Sequence, residues 1–213
     1  MFDRYSLASL KADTRQSRGT GVHIRVTSST AIPRNFNEFL RVGENKKQLF
    51  HFLAKQFTGD QYEGKTIVCT LEDQVISSGV HIDVTSISPS WHEEADGRLL
   101  LQVKHAADNG HQYVGIRTVD SDVVVVSVSV FSRLGNIKEL WIDFGSGKHQ
   151  RLIAVHDLCS QLSPEVCRNL PMFHSITGCD TVSAFSGIGT HVRKELGKCG
   201  WPSLVSTVLS ISC

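Results

Sequence analysis

The chain has 213 residues, of which 40% are hydrophobic, and this is enough to build one domain, or slightly more, around an apolar core. Its 22 Lys and Arg residues nearly balance its 21 Asp and Glu residues, which gives a net charge of +1. The overall charge therefore does not indicate a nucleic-acid partner. No run of about 18 apolar residues predicts a membrane span, and the polar N-terminus is unlike a signal peptide.

The six cysteines show neither C-x-x-C spacing nor the density of a disulfide scaffold. We therefore predict reduced thiols in an intracellular protein, nuclear or cytoplasmic, with no membrane partner. Phe2-Asp3 reads like the end of a core strand with no strand before it, and the chain stops within an apolar, helix-like stretch. We expect a fragment that is truncated at both ends.

Helical and strand patterns alternate in the N-terminal half of the chain. Residues 6–31 are polar and basic, which predicts an exposed helix followed by a flexible arm. Apolar spacing predicts a helix from Glu44 to Phe57 and a short buried strand from Lys65 to Thr70. The strongest predicted helix is 91–107, because apolar residues recur there at a helical period after Ser90, which suits an N-cap.

The C-terminal half begins with a predicted strand at 111–118, which ends at the acidic pair Asp120 and Asp122. The run 123–130 is compatible with a strand, because it is rich in β-branched residues, or with a buried helix behind the acids. The pattern does not decide between the two.

Segments 140–144 and 152–155 are a predicted β-hairpin across a Gly-Ser-Gly-Lys turn. Ser163-Pro164 then opens a further predicted helix, with proline at its first position. Alternating helices and strands of this kind predict an α/β domain with a mainly parallel sheet.

Acidic residues gather at the ends of three predicted elements. They lie at the start of the long helix, after the strand at 111–118, and in a Thr-Gly-Cys-Asp-Thr segment: Glu93, Glu94, Asp96, Asp120, Asp122 and Asp180. Functional groups collect at the carboxyl ends of parallel strands, so acids far apart in sequence can converge there. Hard oxygen ligands suit Mg²⁺ or Mn²⁺, and two such ions about 4 Å apart can promote phosphodiester cleavage. The alternative for each acid is a helix cap.

Three short motifs resemble those of flap endonucleases and related 5′-nuclease domains. Segment 92–96, His-Glu-Glu-Ala-Asp, resembles their Glu-Ala-Asp/Glu signature; 120–122, Asp-Ser-Asp, resembles their Asp-x-Asp; and 178–180, Gly-Cys-Asp, resembles their Gly-x-Asp. The order matches, and the Gly-Ile-Gly at 187–189 follows as it does in that family. Almost the whole chain resembles a group of uncharacterised animal proteins that share the first and last motifs. This second resemblance implies no particular activity.

The resemblance implies a PIN-like α/β fold, with a twisted, mainly parallel sheet flanked by helices, in a single domain of residues 1–213 that lacks its first strand. Residues 6–45 would be a basic arm or arch-like segment, and 181–213 the start of a helix-turn-helix element that grips a duplex backbone. The implied function is metal-dependent hydrolysis of nucleic acid, of the structure-selective 5′-nuclease or flap-endonuclease type, with two Mg²⁺ or Mn²⁺ ions and with DNA favoured over RNA.

The same resemblance assigns roles to individual residues. The implied metal ligands, direct or through water, are Glu94, Asp96, Asp120, Asp122 and Asp180. Asp3 is a further catalytic candidate, because Phe2-Asp3 resembles the strand-ending Phe-Asp of the family. Lys11 and Arg15 would place cations against the scissile phosphate. The predicted nucleic-acid contacts are Arg18, Gly187, Gly189 and Lys194.

Some features depart from the family pattern. Gly97 follows Asp96 inside the predicted helix, where glycine costs about 1 kcal/mol relative to alanine. The Asp of the family's opening strand has no counterpart. The three-residue spacing of Glu93 and Asp96 puts these two acids on one helix face, whereas the motif pairs Glu94 with Asp96. We follow the motif and take Glu94 as the predicted ligand. The main alternative is therefore a catalytically inactive PIN-like module that binds nucleic acid or a protein partner.

Two further alternatives involve cysteine and histidine. A zinc site would use four residues, Cys159, Cys167, His174 and Cys179, but their gaps fit no compact zinc spacing. Cys179 beside His174 would be a nucleophile without a recognisable catalytic context. We expect His174 to be a core or helix-end residue.

Overall fold

The computed structural model describes residues 21–59, 64–78, 82–89 and 95–177. The chain divides into two compact units between Gln102 and Val103, and helices and strands occur in both. The α/β class predicted from the sequence is confirmed. Within the described ranges, no helix combines the length and the apolar character that a membrane-spanning helix needs.

The first unit contains two consecutive helices, α1 (Phe36–Arg41) and α2 (Gly43–Phe57). The second of them confirms the helix predicted from Glu44. Residues 21–27, the described start of the predicted arm, belong to no helix or strand and are hydrogen-bonded to α2. The amide of Asn45, a fully buried α2 residue, accepts a hydrogen bond from Ile24 N at 2.8 Å and donates one to Val22 O at 2.9 Å.

A two-stranded antiparallel hairpin follows, formed by β1 (Val68–Leu71) and β2 (Gln74–Ser77). The first strand confirms the predicted one, although its described hydrogen-bonded part begins three residues later than Lys65. The second strand was not predicted. Helix α3 (Ala95–Asp108) confirms the long predicted helix over its described part.

The second unit begins with a β-α-β arrangement of β3 (Tyr113–Thr118), α4 (Ser121–Val130) and β4 (Glu139–Phe144). The ambiguous run 123–130 is thus a helix. Four of its valines are at most 1% exposed: Val123, Val124, Val125 and Val128. A helix that is apolar on nearly every side must be enclosed, and this burial outweighs the strand propensity of the valines.

Strands β3 and β4 are parallel, and β5 (Arg151–Ala154) pairs antiparallel with β4. The predicted hairpin is confirmed, but the sheet is mixed rather than mainly parallel in the described residues. The hairpin turn needs glycine at Gly145, which has a φ of 87° and where a Cβ atom would lie 2.6 Å from His149 O. Alternate residues such as Ile116 and Leu140 face the core.

Two helices complete the described part of this unit, α5 (Val155–Gln161) and α6 (Pro164–Thr177). Proline occupies the first position of α6, as predicted, and Ser163 Oγ accepts a hydrogen bond from Val166 N at 3.3 Å. Both helices pack against α4. The strand-to-helix turn between β3 and α4 is therefore supported by the sheet and by α6.

Candidate functional site

Asp120 and Asp122 lie on the turn that joins β3 to α4. Asp120 is the N-cap of α4, and its Oδ1 accepts a hydrogen bond from Asp122 N at 2.9 Å. Thr118 Oγ1 accepts a second hydrogen bond, from Asp120 N at 3.0 Å. These two bonds fix the backbone of the turn. The acids stand at the carboxyl end of a strand with a parallel partner, which is where α/β proteins commonly bind ligands.

Asp122, in the first turn of α4, is bonded to a buried histidine of α6. His174 Nε2 lies 2.8 Å from Asp122 Oδ1, and the two side chains are 5% and 32% exposed, respectively. An ionised carboxylate only accepts hydrogen bonds, so Nε2 carries the proton and donates it. The expectation that His174 is a core residue is confirmed, and its bond to Asp122 adds a contact that the sequence did not predict.

Each of the two carboxylates keeps one oxygen outside these bonds. Within the described residues, no hydrogen bond reaches Oδ2 of Asp120 or of Asp122. Two hard oxygen donors on one turn suit Mg²⁺ or Mn²⁺ as partial ligands. The positive end of the helix dipole also attracts carboxylates, so capping by itself accounts for acids at this position.

The third described candidate, Asp96, lies in the first turn of α3, and it belongs to the first unit. In the parts of the chain that the structure describes, no three His, Cys, Asp or Glu side chains form a group that can hold a metal ion. The remaining predicted site residues lie outside those parts: Asp3, Lys11, Arg15, Arg18, Glu94, Asp180, Gly187, Gly189 and Lys194.

A polar cluster on β4 was missed in the sequence. Asp143 accepts hydrogen bonds from Gln150 Nε2 at 2.8 Å and 2.9 Å, one on each carboxylate oxygen. Arg117, its cross-strand neighbour on β3, places Nε 3.4 Å from Asp143 Oδ2. The available signal was strand geometry, because successive side chains of a strand point to opposite faces, which puts Asp143 on the opposite face from Ile142. With both oxygens engaged, we interpret Asp143 as structural.

Of the four residues of the zinc alternative, the structure describes Cys159, Cys167 and His174. Burial, followed by the neighbouring Cys167 thiol, raises the pKa of Cys159 to about 12. In the absence of a metal ion, a thiol of this kind stays protonated near neutral pH. Cys179, which both alternatives require, lies outside the described residues.

Comparison with known proteins adds no family assignment. No protein-family model matches the chain, and neither the curated proteins nor the solved structures contain a significant match. The molecule is thus an α/β protein with an Asp120–Asp122–His174 cluster at the carboxyl end of a strand. Any more specific assignment depends on the motif resemblance together with this geometry.

Proposed function

We propose that the chain is a metal-dependent nuclease domain of the flap-endonuclease/PIN-like kind, which hydrolyses phosphodiester bonds in nucleic acid. The observation that carries the proposal is the position of Asp120 and Asp122. Both acids of the Asp-x-Asp motif lie on the turn that leaves a parallel strand, on the first turn of the crossover helix. Capping also favours acids at a helix start, but the carboxyl end of a parallel strand is where α/β folds commonly bind ligands, and this position supports the proposal.

Asp120 and Asp122 would hold Mg²⁺ or Mn²⁺ through the Oδ2 atoms, which neither the cap nor His174 uses. When bound, such an ion activates a water molecule and stabilises the leaving oxygen of the phosphodiester. The protein's part is to keep both carboxylates oriented and close together. The hydrogen bonds of the turn already fix their backbone, so little reorganisation is required when the ion binds.

Asp180 is the third acid of the proposal. It follows Thr177, the last residue of α6, by three residues, and three residues of chain span at most about 11 Å. His174 lies one helical turn before that end and is bonded to Asp122. In the proposal, Asp180 joins Asp120 and Asp122 as a third ligand, and this short connection is what favours it. Glu94 and Asp96 stay predicted ligands on the motif resemblance alone.

The proposed substrate is nucleic acid, with DNA favoured over RNA. The basic residues Lys11, Arg15 and Arg18 would contact phosphates of the substrate. Gly187 and Gly189 would let backbone N–H groups approach the duplex backbone, and Lys194 would add a charge there. Contacts of these kinds bind without reading base sequence, so we expect selection by nucleic-acid structure rather than by sequence.

The test is cleavage of labelled 5′-flap, single-stranded and duplex DNA, and of RNA, with Mg²⁺ or Mn²⁺ against EDTA. Asp122→Asn should remove the metal-dependent product because it deletes a charged ligand while keeping an oxygen that can accept from His174. Asp157→Asn is the matched control, since Asp157 is on α5 with its side chain 64% exposed, and it should cleave as the wild type does. Equal cleavage by wild type and Asp122→Asn would overturn the site.

A second candidate function is a PIN-like module that binds nucleic acid or a protein partner without cleaving. The favouring observation is that both acids already have protein partners, since Asp120 caps α4 and Asp122 bonds to His174. Binding of labelled DNA that is insensitive to EDTA and to Asp122→Asn, with no product at any metal concentration, would select this candidate over the nuclease.

A further inference from the structure

His174 lies on the buried face of α6. Cys167, Leu170 and His174 follow at spacings of three and four residues, and all three are at most 8% exposed. Cys167 and Leu170 are apolar core residues, whereas His174 puts a polar ring at the next position of the same face. Burying a polar group is unfavourable unless it is hydrogen-bonded. Its bond to Asp122 Oδ1 reduces that cost.

We propose that His174 is a positioning residue that holds Asp122 for metal binding, an inference that rests on the proposed nuclease function. The Nε2–H group of His174 engages Oδ1 from a helix other than the one that carries Asp122. The bond therefore limits rotation of the carboxylate and leaves Oδ2 as the oxygen for the ion. Hydrogen bonds to ligating carboxylates commonly serve in this way, and their loss weakens metal binding by about 10–100-fold.

The burial of His174 and the partial exposure of Asp122 support this role. The His174 side chain is 5% exposed, so its ring is confined by packing, while Asp122 is 32% exposed and accessible to an ion from solvent. The bond joins α4 to α6, which packs along it. It also connects the Asp-x-Asp turn with the helix that precedes the Gly-Cys-Asp motif. A purely structural tie between helices would have the same geometry, so the test needs a readout beyond stability.

Glutamine and asparagine at position 174 separate the two roles. The Nε2 atom of a glutamine can reach the position of the histidine Nε2 atom, whereas the amide of an asparagine is one carbon shorter. His174→Gln therefore can restore the bond to Asp122 Oδ1, and His174→Asn cannot without movement of the backbone. Leu170→Ala is the matched control, because it removes a fully buried side chain from the same face and deletes no hydrogen bond to Asp122.

The measurement is the dissociation constant for Mn²⁺, followed by the electron paramagnetic resonance signal of the free ion, with urea unfolding of the same proteins in EDTA. We expect His174→Asn to bind Mn²⁺ about 10–100-fold more weakly than the wild type, and His174→Gln to bind close to it. Leu170→Ala should lose stability and keep its Mn²⁺ affinity. Asp122→Ala reports whether the bound ion uses this carboxylate.

The outcomes distinguish the inference from the function on which it rests. If wild type binds Mn²⁺ through Asp122 and His174→Asn binds it equally well, the positioning role is wrong and the nuclease proposal stands. If His174→Gln and Leu170→Ala weaken binding as much as His174→Asn does, the effect is general destabilisation and the role is again wrong. If wild type binds no Mn²⁺, or Asp122→Ala binds it unchanged, both the proposed site and the inference are overturned.

Discussion

Asp120 has two separable roles, because its side chain caps α4 and its charge would bind a metal ion. Asp120→Ala removes the acceptor that lies 2.9 Å from Asp122 N, and a lost N-cap bond costs about 0.5–2 kcal/mol. Asp120→Asn keeps an acceptor of equal capping quality and loses only the attraction of a carboxylate to the helix dipole, about 0.3–1 kcal/mol. We therefore expect the alanine variant to be less stable than the asparagine variant by about 1 kcal/mol.

Urea unfolding in EDTA measures this difference. With a slope of about 2 kcal/mol per molar urea, a difference of about 1 kcal/mol corresponds to about 0.5 M in the midpoint. Metal-dependent cleavage should not distinguish the two variants. Both lack the charged ligand, so both should lose the product. Equal midpoints for the two variants would refute the capping argument. Cleavage retained by Asp120→Asn would refute the ligand assignment and leave Asp120 as a cap alone.

Three further predictions concern the fold. Ser127→Ala should raise the free energy of unfolding by about 1 kcal/mol in urea, because no described residue bonds to the buried Ser127 Oγ, and an unchanged midpoint would contradict this. Asn45→Ala should lower it by about 1–3 kcal/mol and speed trypsin cleavage after Arg25, since Ile24 N loses its acceptor; equal cleavage would contradict this. Burial raises the pKa of Cys159 from 9.0 to about 12, so the thiol of the unfolded chain loses its proton at a lower pH than the thiol of the folded chain. The free energy of unfolding should therefore fall as the pH rises from about 9 to about 12, and it should fall more steeply in wild type than in Cys159→Ala.

The regular elements of the second unit were largely predictable from the sequence. The strand that became β3 and the hairpin of β4 and β5 have apolar runs bounded by glycine-containing turns, and such turns are local signals. Helix α6 was predictable from Ser163-Pro164, because proline at the first position of a helix is also a local signal. The valine-rich helix α4 was not, because intrinsic propensity favours a strand there and only burial on nearly every side selects the helix.

Two features were not predicted from the sequence, the second strand of the first hairpin and the contact between distant residues at the candidate site. The antiparallel strand β2 carries no clear alternation of its own and follows a turn at Glu72, whose φ of 54° is unusual outside glycine. At the candidate site, the missed feature is a long-range contact. The motif placed Asp120 and Asp122 at a strand end, but the bond between Asp122 and His174 joins residues 52 positions apart and follows from how α6 packs on α4.

The central claim is that the Asp120–Asp122 turn binds a metal ion that supports cleavage of nucleic acid. Single-turnover cleavage of a labelled 5′-flap DNA over a Mn²⁺ titration, with wild type and Asp122→Asn of equal folded fraction, tests it most directly. We predict product that rises with Mn²⁺ and disappears in EDTA for the wild type, and none for Asp122→Asn. Product formed equally by both proteins, or none from folded wild type at any Mn²⁺ concentration, would contradict the claim.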